Sequence, residues 1–375
     1  MLARLIWNYS IANGANYVDL HVYVDGAATI ARGGLYQFVY RPVTPAIALE
    51  FTYPPFAALV FYPLHFLPFG LVGFCWQLGV VAAFYGCAAL SLRMLGRPDR
   101  RAAMAWTAVA VWIEPARHTF ELDQINVLLM FAVLWAVYSN RTAVSGLLVG
   151  LAAGIKLTPA IAGLYFLGMR RWAAAGAAGL VFVATIAVSV LVLGRQGRYF
   201  FTDLLGDAHR VGIVASPGNQ SLRGVIGYTL GYDPSYAPVT LAAIAATAAL
   251  AVLAWRALDD SDRLGRILVV MLVGLLVSPV SWTHHWVWIL PLVLWLIYGP
   301  LRTAAAGWAW LVLALVGPPW LMTVTDSHGW THAGDPIRYV AGSAYVLATL
   351  LTLAYLAMAR RRSDLSSRPV PDPVG

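Results

Sequence analysis

Apolar runs of about 20 residues recur from the first residues to about Met358, separated by short stretches that carry arginine. A run of that length spans a bilayer as a helix at about 1.5 Å per residue. Lipid offers nothing to hydrogen-bond a bare backbone, so each run must satisfy its own amides and carbonyls within a helix. Composition agrees: 60% of the residues are hydrophobic and 11% charged, against roughly a quarter charged in soluble domains, and mean hydropathy is +0.70. The expected fold class is an all-α polytopic membrane protein, one domain over 1–359 with a disordered cytoplasmic tail at 360–375. No long polar interval offers a separate soluble domain, and no cleavable signal peptide is evident.

The arginines order the runs. A net charge of +8 suggests nucleic acid in a soluble protein, but here the arginines cluster between apolar runs, which is the positive-inside pattern. Spans are expected near 70–92, 102–113, 125–139, 172–193, 238–257, 267–281, 286–299, 303–321 and 338–359. The block 142–169 reads as two short helices meeting at Lys156-Leu157-Thr158-Pro159, and 54–68 as a proline-broken re-entrant or kinked piece. Residues 1–14 read as part of a first span, which brings the expectation to about 12 crossings with both termini inside. The outer face then receives the loops 14–53, 194–237, 281–286 and 322–337, the last with His328, Trp330 and His332. No internal repeat is visible. Cys75 and Cys87 lie in one apolar segment about three helical turns apart, too far to join.

Sorting loops by side gathers Asp19, Glu114, Arg117, Gln124, Asn126, Asn219, His284 and His285 on one face, while the other carries little but arginine and Asp259 to Asp262. Such a one-sided set of acids, amides and imidazoles at helix ends suits an active site that opens to the outer face. Asp19 follows directly on a membrane run among aromatic residues, with His21 beside it. A general base must stay ionised within hydrogen-bonding reach of the group it deprotonates. Asp25 is the rival acid and reads as a surface residue.

Lys156 is the only lysine among 25 basic residues and sits inside an apolar run, where a charge is costly and points to function. A lipid phosphate is its natural partner, and snorkelling to the interface is the alternative. Adjacent histidines on a helix point about 100° apart, so His284 and His285 are expected to hydrogen-bond a phosphate or sugar rather than share a metal. The tryptophans 282, 286 and 288 suit an aromatic belt or a sugar platform. Glu114 and Arg117, one turn apart, are expected to pair, and Arg117, with Lys156 and a histidine, is also a candidate to bind the donor phosphate and stabilise its developing charge. Gln124 and Asn126 either cap a helix or grip a sugar hydroxyl.

The runs Asn13-Gly14-Ala15-Asn16-Tyr17-Val18-Asp19-Leu20-His21-Val22-Tyr23, Phe51-Thr52-Tyr53-Pro54-Pro55-Phe56, Trp112-Ile113-Glu114-Pro115, Gln124-Ile125-Asn126-Val127-Leu128-Leu129, Lys156-Leu157-Thr158-Pro159 and Ser278-Pro279-Val280-Ser281-Trp282-Thr283-His284-His285-Trp286 resemble glycosyltransferase family 87. The resemblance covers nearly the whole chain in order. It implies a GT-C fold in the plasma membrane and a polyprenyl-phosphate-mannose donor used from the periplasmic side. The implied acceptor is a tetramannosylated phosphatidylinositol lipid, extended through an α-(1→2) bond. No cofactor or metal is expected, because protein cations can stabilise the leaving phosphate. By motif, the family's catalytic aspartate is Asp19. The amino terminus is shorter than in the family, and Asp123 stands where it usually has glycine before the glutamine.

Two rival readings stand beside this one. A family relative using a polyprenyl-phosphate arabinofuranose donor shares the fold. A transporter or flippase would use Asp19 and Lys156 as a substrate pair near mid-bilayer, and the clustering of polar groups at one face argues against it.

Overall fold

Local chemistry sets the helix boundaries. Proline opens the helices at Pro55, Pro115 and Pro238, where its missing amide hydrogen costs nothing. Asp99, Ser221 and Asp262 cap the helices after them by accepting backbone amides with their side chains. The computed structural model describes residues 2–10, 16–41, 48–301, 303–325 and 336–366. The expected outer loop carrying His328, Trp330 and His332 and the sequence around Asn13 lie outside them.

The described residues are mostly helical. Among them four helices are long and apolar enough to cross a membrane: Phe69–Met94, Trp172–Leu193, Pro238–Ala257 and Ala304–Val324. Two bent helix pairs are also apolar and long enough taken together, each a broken span or a re-entrant loop: Glu114–Leu122 with Asn126–Tyr138 at 118°, and Pro336–Gly342 with Ala344–Met358 at 72°. Shorter apolar helices, Pro55–Phe66, Thr142–Ile155, Thr158–Gly168 and Thr283–Tyr298, fill the space between. The chain is therefore a multi-pass membrane protein. The break at Lys156 and the proline-broken helix before Phe69 fall where the sequence puts them. Cys75 and Cys87 are both free thiols.

The structure departs from expectation in two places. A short antiparallel ribbon pairs Val39 with Glu50 and Tyr40 with Leu49 in the segment expected to be loop or surface helix, so the fold is not purely helical. Its β-branched and aromatic residues favour the extended backbone. The last helix also runs through Arg360 to Arg362 and on to Ser366, past the boundary expected at 359. Residues 367–375 lie outside the described set.

Close helix packing fixes where Lys156 ends up. Gly146, Gly150 and Gly154 repeat every fourth residue along Thr142–Ile155, and a Cβ on each would lie 2.4, 2.5 and 2.5 Å from Ala177, Val181 and Thr185 of Trp172–Leu193. Small residues at this spacing let two membrane helices approach backbone to backbone. The two helices pack along their lengths, so the loop leaving Ile155 starts from a rigid edge. Pro55–Phe61 packs on both of them and carries the segment containing Tyr53 to the same place.

Candidate active site

Asp19 sits in the first turn of Val18–Ala28. Tyr17 precedes that helix in a left-handed conformation (φ 54°), and the ring packs where a side chain on Gly73 would be, 2.7 Å from the Cβ position. The opposing wall is the turn between Glu114–Leu122 and Asn126–Tyr138. Here Asp123 takes φ 57°, ψ 48°, a conformation that glycine adopts freely and aspartate tolerates better than most residues. An aspartate at this glycine position therefore preserves the sharp bend. The bend aims Gln124 at Asp19, with Nε2 donating to Oδ2 at 2.6 Å.

The orientation of that amide is fixed from behind. Gln124 Oε1 accepts from the hydroxyls of Tyr23 at 3.0 Å and Tyr53 at 3.2 Å, and the two hydroxyls are themselves 2.8 Å apart. With its oxygen so engaged, the amide must present its nitrogen to the carboxylate. Gln124 does not cap the following helix, nor does Asn126, whose amide nitrogen donates to the His284 carbonyl at 3.1 Å. The capping reading of both residues is thereby set aside, because each amide is consumed by a long-range partner.

Lys156 leaves its helix in extended backbone (φ −146°, ψ 129°). Its ammonium donates to Asn126 Oδ1 at 2.8 Å and lies 3.2 Å from His285 Nε2 and 3.5 Å from the Tyr53 hydroxyl. His284 and His285 begin a 3₁₀ segment, Thr283–Trp288, and their rings meet edge to face with centroids 4.7 Å apart. His285 Nδ1 and His284 Nε2 are buried with no hydrogen-bond partner among the described residues. Asp19, Gln124, Tyr53, Lys156, His284 and His285 all line one cavity of about 750 Å³. Asp19 and the twin imidazoles, far apart in sequence, share a chamber. Burial raises the Asp19 carboxyl from 3.8 to about 6, while the Gln124 hydrogen bond and the Lys156 charge pull the other way. About nine-tenths of it is ionised at pH 7, with Oδ1 free of protein partners among the described residues.

Five expected site residues do not line this cavity, and each has a structural task, that of Asn126 being its bonds to the His284 carbonyl and to Lys156. Asn219 is fully buried: its amide nitrogen donates to the Val214 and Pro279 carbonyls and its oxygen accepts from Ser281 N at 2.8 Å, which pins the strand leading to the histidines. Glu114 accepts from the Tyr345 hydroxyl at 2.8 Å and lies 3.3 Å from His118, so it ties distant helices together instead of pairing with Arg117. Arg117 stacks over Trp320 at 5.6 Å. His21 pairs with Asp25 at 2.8 Å and stacks on Phe69 and Tyr40.

The cavity also recruits residues that the sequence alone does not single out: His118, 2.9 Å from Thr283 Oγ1, and Glu50 and Arg210. Tyr53 carried a signal, an aromatic directly before Pro54-Pro55. Arg210 carried none, being one of several charges in a long loop. Among the described residues no three His, Cys, Asp or Glu side chains come together as a metal site. The rest of the cavity wall is largely apolar, with Val22, Leu157, Phe200, Leu204 and Leu205.

The chain is similar to proteins of named activity. The chain is 56% identical over 367 residues, 96% of it and 85% of the relative, to a Mycobacterium tuberculosis (strain CDC 1551 / Oshkosh) protein named polyprenol-phosphate-mannose-dependent alpha-(1-2)-phosphatidylinositol pentamannoside mannosyltransferase. It is 54% identical over 370 residues, 97% of it and 90% of the relative, to the protein of the same name from Mycolicibacterium smegmatis. A more distant M. tuberculosis (strain H37Rv) protein, 31% identical over 80% of the chain and 74% of the relative, is named a polyprenol-phosphate-mannose-dependent alpha-(1-2)-phosphatidylinositol mannoside mannosyltransferase. No solved structure matches significantly. The family profile matches residues 51–279, more than half of the sequence, and the chain belongs to glycosyltransferase family 87.

Proposed function

We propose that this chain is an inverting mannosyltransferase that moves mannose from polyprenyl-phosphate-mannose to a phosphatidylinositol mannoside through an α-(1→2) bond. The carrying observation is the single cavity that holds Asp19 opposite Lys156 and His285, supported by the printed activities of the relatives more than half identical to the chain. The acceptor in this reading is a tetramannoside. A largely apolar wall suits two substrates that both carry lipid chains.

The chemistry follows from the positions of these groups. Asp19 Oδ1 takes the proton of an acceptor hydroxyl, whose oxygen attacks the anomeric carbon as its bond to the phosphate oxygen breaks. The electron pair departs on polyprenyl phosphate, so the β-linked donor gives an α product. Charge grows on the leaving oxygen, and a fixed cation at that point stabilises the transition state more than the ground state. Lys156 fills that role, steadied by Asn126, with His284 and His285 as further donors to phosphate or sugar. No metal is required in this reading, because the lysine supplies the charge.

We read the helices as a GT-C arrangement in which long spans, bent pairs and paired short helices make about 12 crossings. The cavity then faces the periplasmic side of the plasma membrane. The test is to incubate purified protein with polyprenyl-phosphate-mannose or polyprenyl-phosphate-arabinofuranose, each labelled in the sugar, together with phosphatidylinositol mannosides. The proposal expects label from mannose alone, in a 2-linked product. Label from arabinofuranose, or none from mannose, overturns it.

A further inference from the structure

The cavity has a second basic group far along the chain from Lys156. Arg210 lies in the short 3₁₀ helix Ala208–Val211, which packs on the strand Leu49–Glu50. Its Nε donates to Glu50 Oε2 at 2.5 Å and its guanidinium lies over the Tyr36 ring at 5.8 Å. The arginine side chain is 13% exposed, and both it and Glu50 line the same cavity as Asp19. The terminal nitrogens of Arg210 have no protein hydrogen-bond partner among the described residues. Lys156, by contrast, is held by Asn126, His285 and Tyr53, while Arg210 is held by Glu50 and Tyr36.

The proposed function brings two phosphates to this chamber, one on each lipid. The donor phosphate has to sit where its leaving oxygen meets a cation beside the base. A second phosphate on the same lysine would lie within a few ångströms of the first, and at about 4 Å two unit charges near a protein surface repel by about 4 kcal/mol. The acceptor phosphate therefore needs its own cation. A guanidinium tethered through Nε keeps its remaining donors in a planar fork, the geometry that grips a phosphate with two parallel hydrogen bonds. Leu204, Leu205 and Val211 beside it offer apolar surface for the attached lipid. We propose that Arg210 is a second phosphate-binding group of this cavity, which receives the phosphodiester of the phosphatidylinositol-type acceptor while Lys156 and His285 face the phosphate of the donor.

This inference rests on the proposed function, and the experiment separates the two. Full-length protein in detergent is given labelled polyprenyl-phosphate-mannose and either phosphatidylinositol mannoside or an alkyl mannoside with the same terminal sugars and no phosphate. Arg210→Gln is expected to raise the half-saturating concentration of phosphatidylinositol mannoside about 10- to 100-fold, as loss of charged hydrogen bonds does. The half-saturating donor concentration should stay within about twofold, and the wild-type preference for the phosphate-bearing acceptor should collapse. Arg210→Lys keeps the charge without the fork and should recover part of that preference. Glu50→Gln frees the guanidinium and should leave acceptor affinity equal or tighter, and Arg195→Gln in the same loop controls for general charge loss.

The assignment is overturned by an unchanged acceptor value, by an equal loss with the alkyl mannoside, or by a rise on the donor side instead. It is also overturned if Glu50→Gln harms acceptor binding as much as Arg210→Gln, because the pair is then purely structural. Each variant is first checked for monodisperse elution, and should Arg210→Gln fail there, Arg210→Lys and Glu50→Gln decide. Wild-type protein that makes no mannosyl product overturns the proposed function and this assignment with it, whereas an active wild type with an indifferent Arg210 overturns the assignment alone.

Discussion

Replacing Asp19, the proposed base, should make the protein more stable as it makes it inactive. Burial holds the Asp19 carboxyl at about 6 against 3.8 in the open chain. At about 1.4 kcal/mol per tenfold change, that rise corresponds to at most ~3 kcal/mol spent keeping the carboxylate ionised at neutral pH. Water entering the cavity reduces the figure, so we expect about 1–3 kcal/mol. For an acid whose folded value lies above its unfolded one, the penalty is full above pH 6 and shrinks as pH falls toward 3.8, where both states hold the proton. Asp19→Asn carries no charge at any pH, and its amide can turn to accept from Gln124 Nε2 as the carboxylate does. The variant should therefore unfold several degrees above wild type at pH 7.5, with the gap closing near pH 4. Thermal unfolding in detergent, followed by tryptophan fluorescence at the two pH values, measures this directly. Mannose transfer by the same sample should fall about 10²- to 10⁴-fold, the usual worth of a general base. A variant that is less stable at pH 7.5, or a gap that persists at pH 4, would refute the account of Asp19 as a charge held at a cost for catalysis.

Other substitutions probe the parts around it. Gln124→Leu removes a donor that stabilises the ionised carboxylate, so the acid limb of the pH–rate profile, near pH 6 in wild type, should move up by about one pH unit; an unmoved limb means the amide is passive. Lys156→Gln should lower kcat by about 10²-fold or more with a smaller change in donor KM, because the cation acts chiefly on the leaving oxygen; single-turnover transfer separates the two. Gly150→Val forces a side chain into Val181 and should cost about 1–3 kcal/mol, read as earlier thermal unfolding, with activity lost as the Lys156 loop shifts. If Gly150→Val unfolds with wild type, the close helix approach does not hold that loop.

Much of this architecture is written locally. The proline and glycine breaks, the lone lysine at a helix end and the acid after the first apolar segment are properties of short windows, and the helices begin and end close to where those windows place them. The pairing expected between Glu114 and Arg117 failed because it counted only neighbours one turn apart. Tyr345, more than 200 residues away, offered the buried carboxylate a better partner, and a buried acid takes whatever donor packing brings to it. The task of Asn219 was not legible in its loop, because the Pro279 carbonyl and Ser281 amide that engage its side chain lie some 60 residues further along the chain. The extended ribbon around Glu50 escaped notice because two-residue strands have no periodicity to read.

The sequence alone determined that the chain crosses a membrane many times, and which few polar residues it carries at an energetic loss, because apolar length and the cost of a charge in lipid are summed residue by residue. Tertiary structure alone decided which of those residues meet. Close packing at Gly146, Gly150 and Gly154 and the amide lock on Gln124 are contacts between segments distant along the chain. Their geometry depends on how whole helices fit together, which no single stretch of sequence contains.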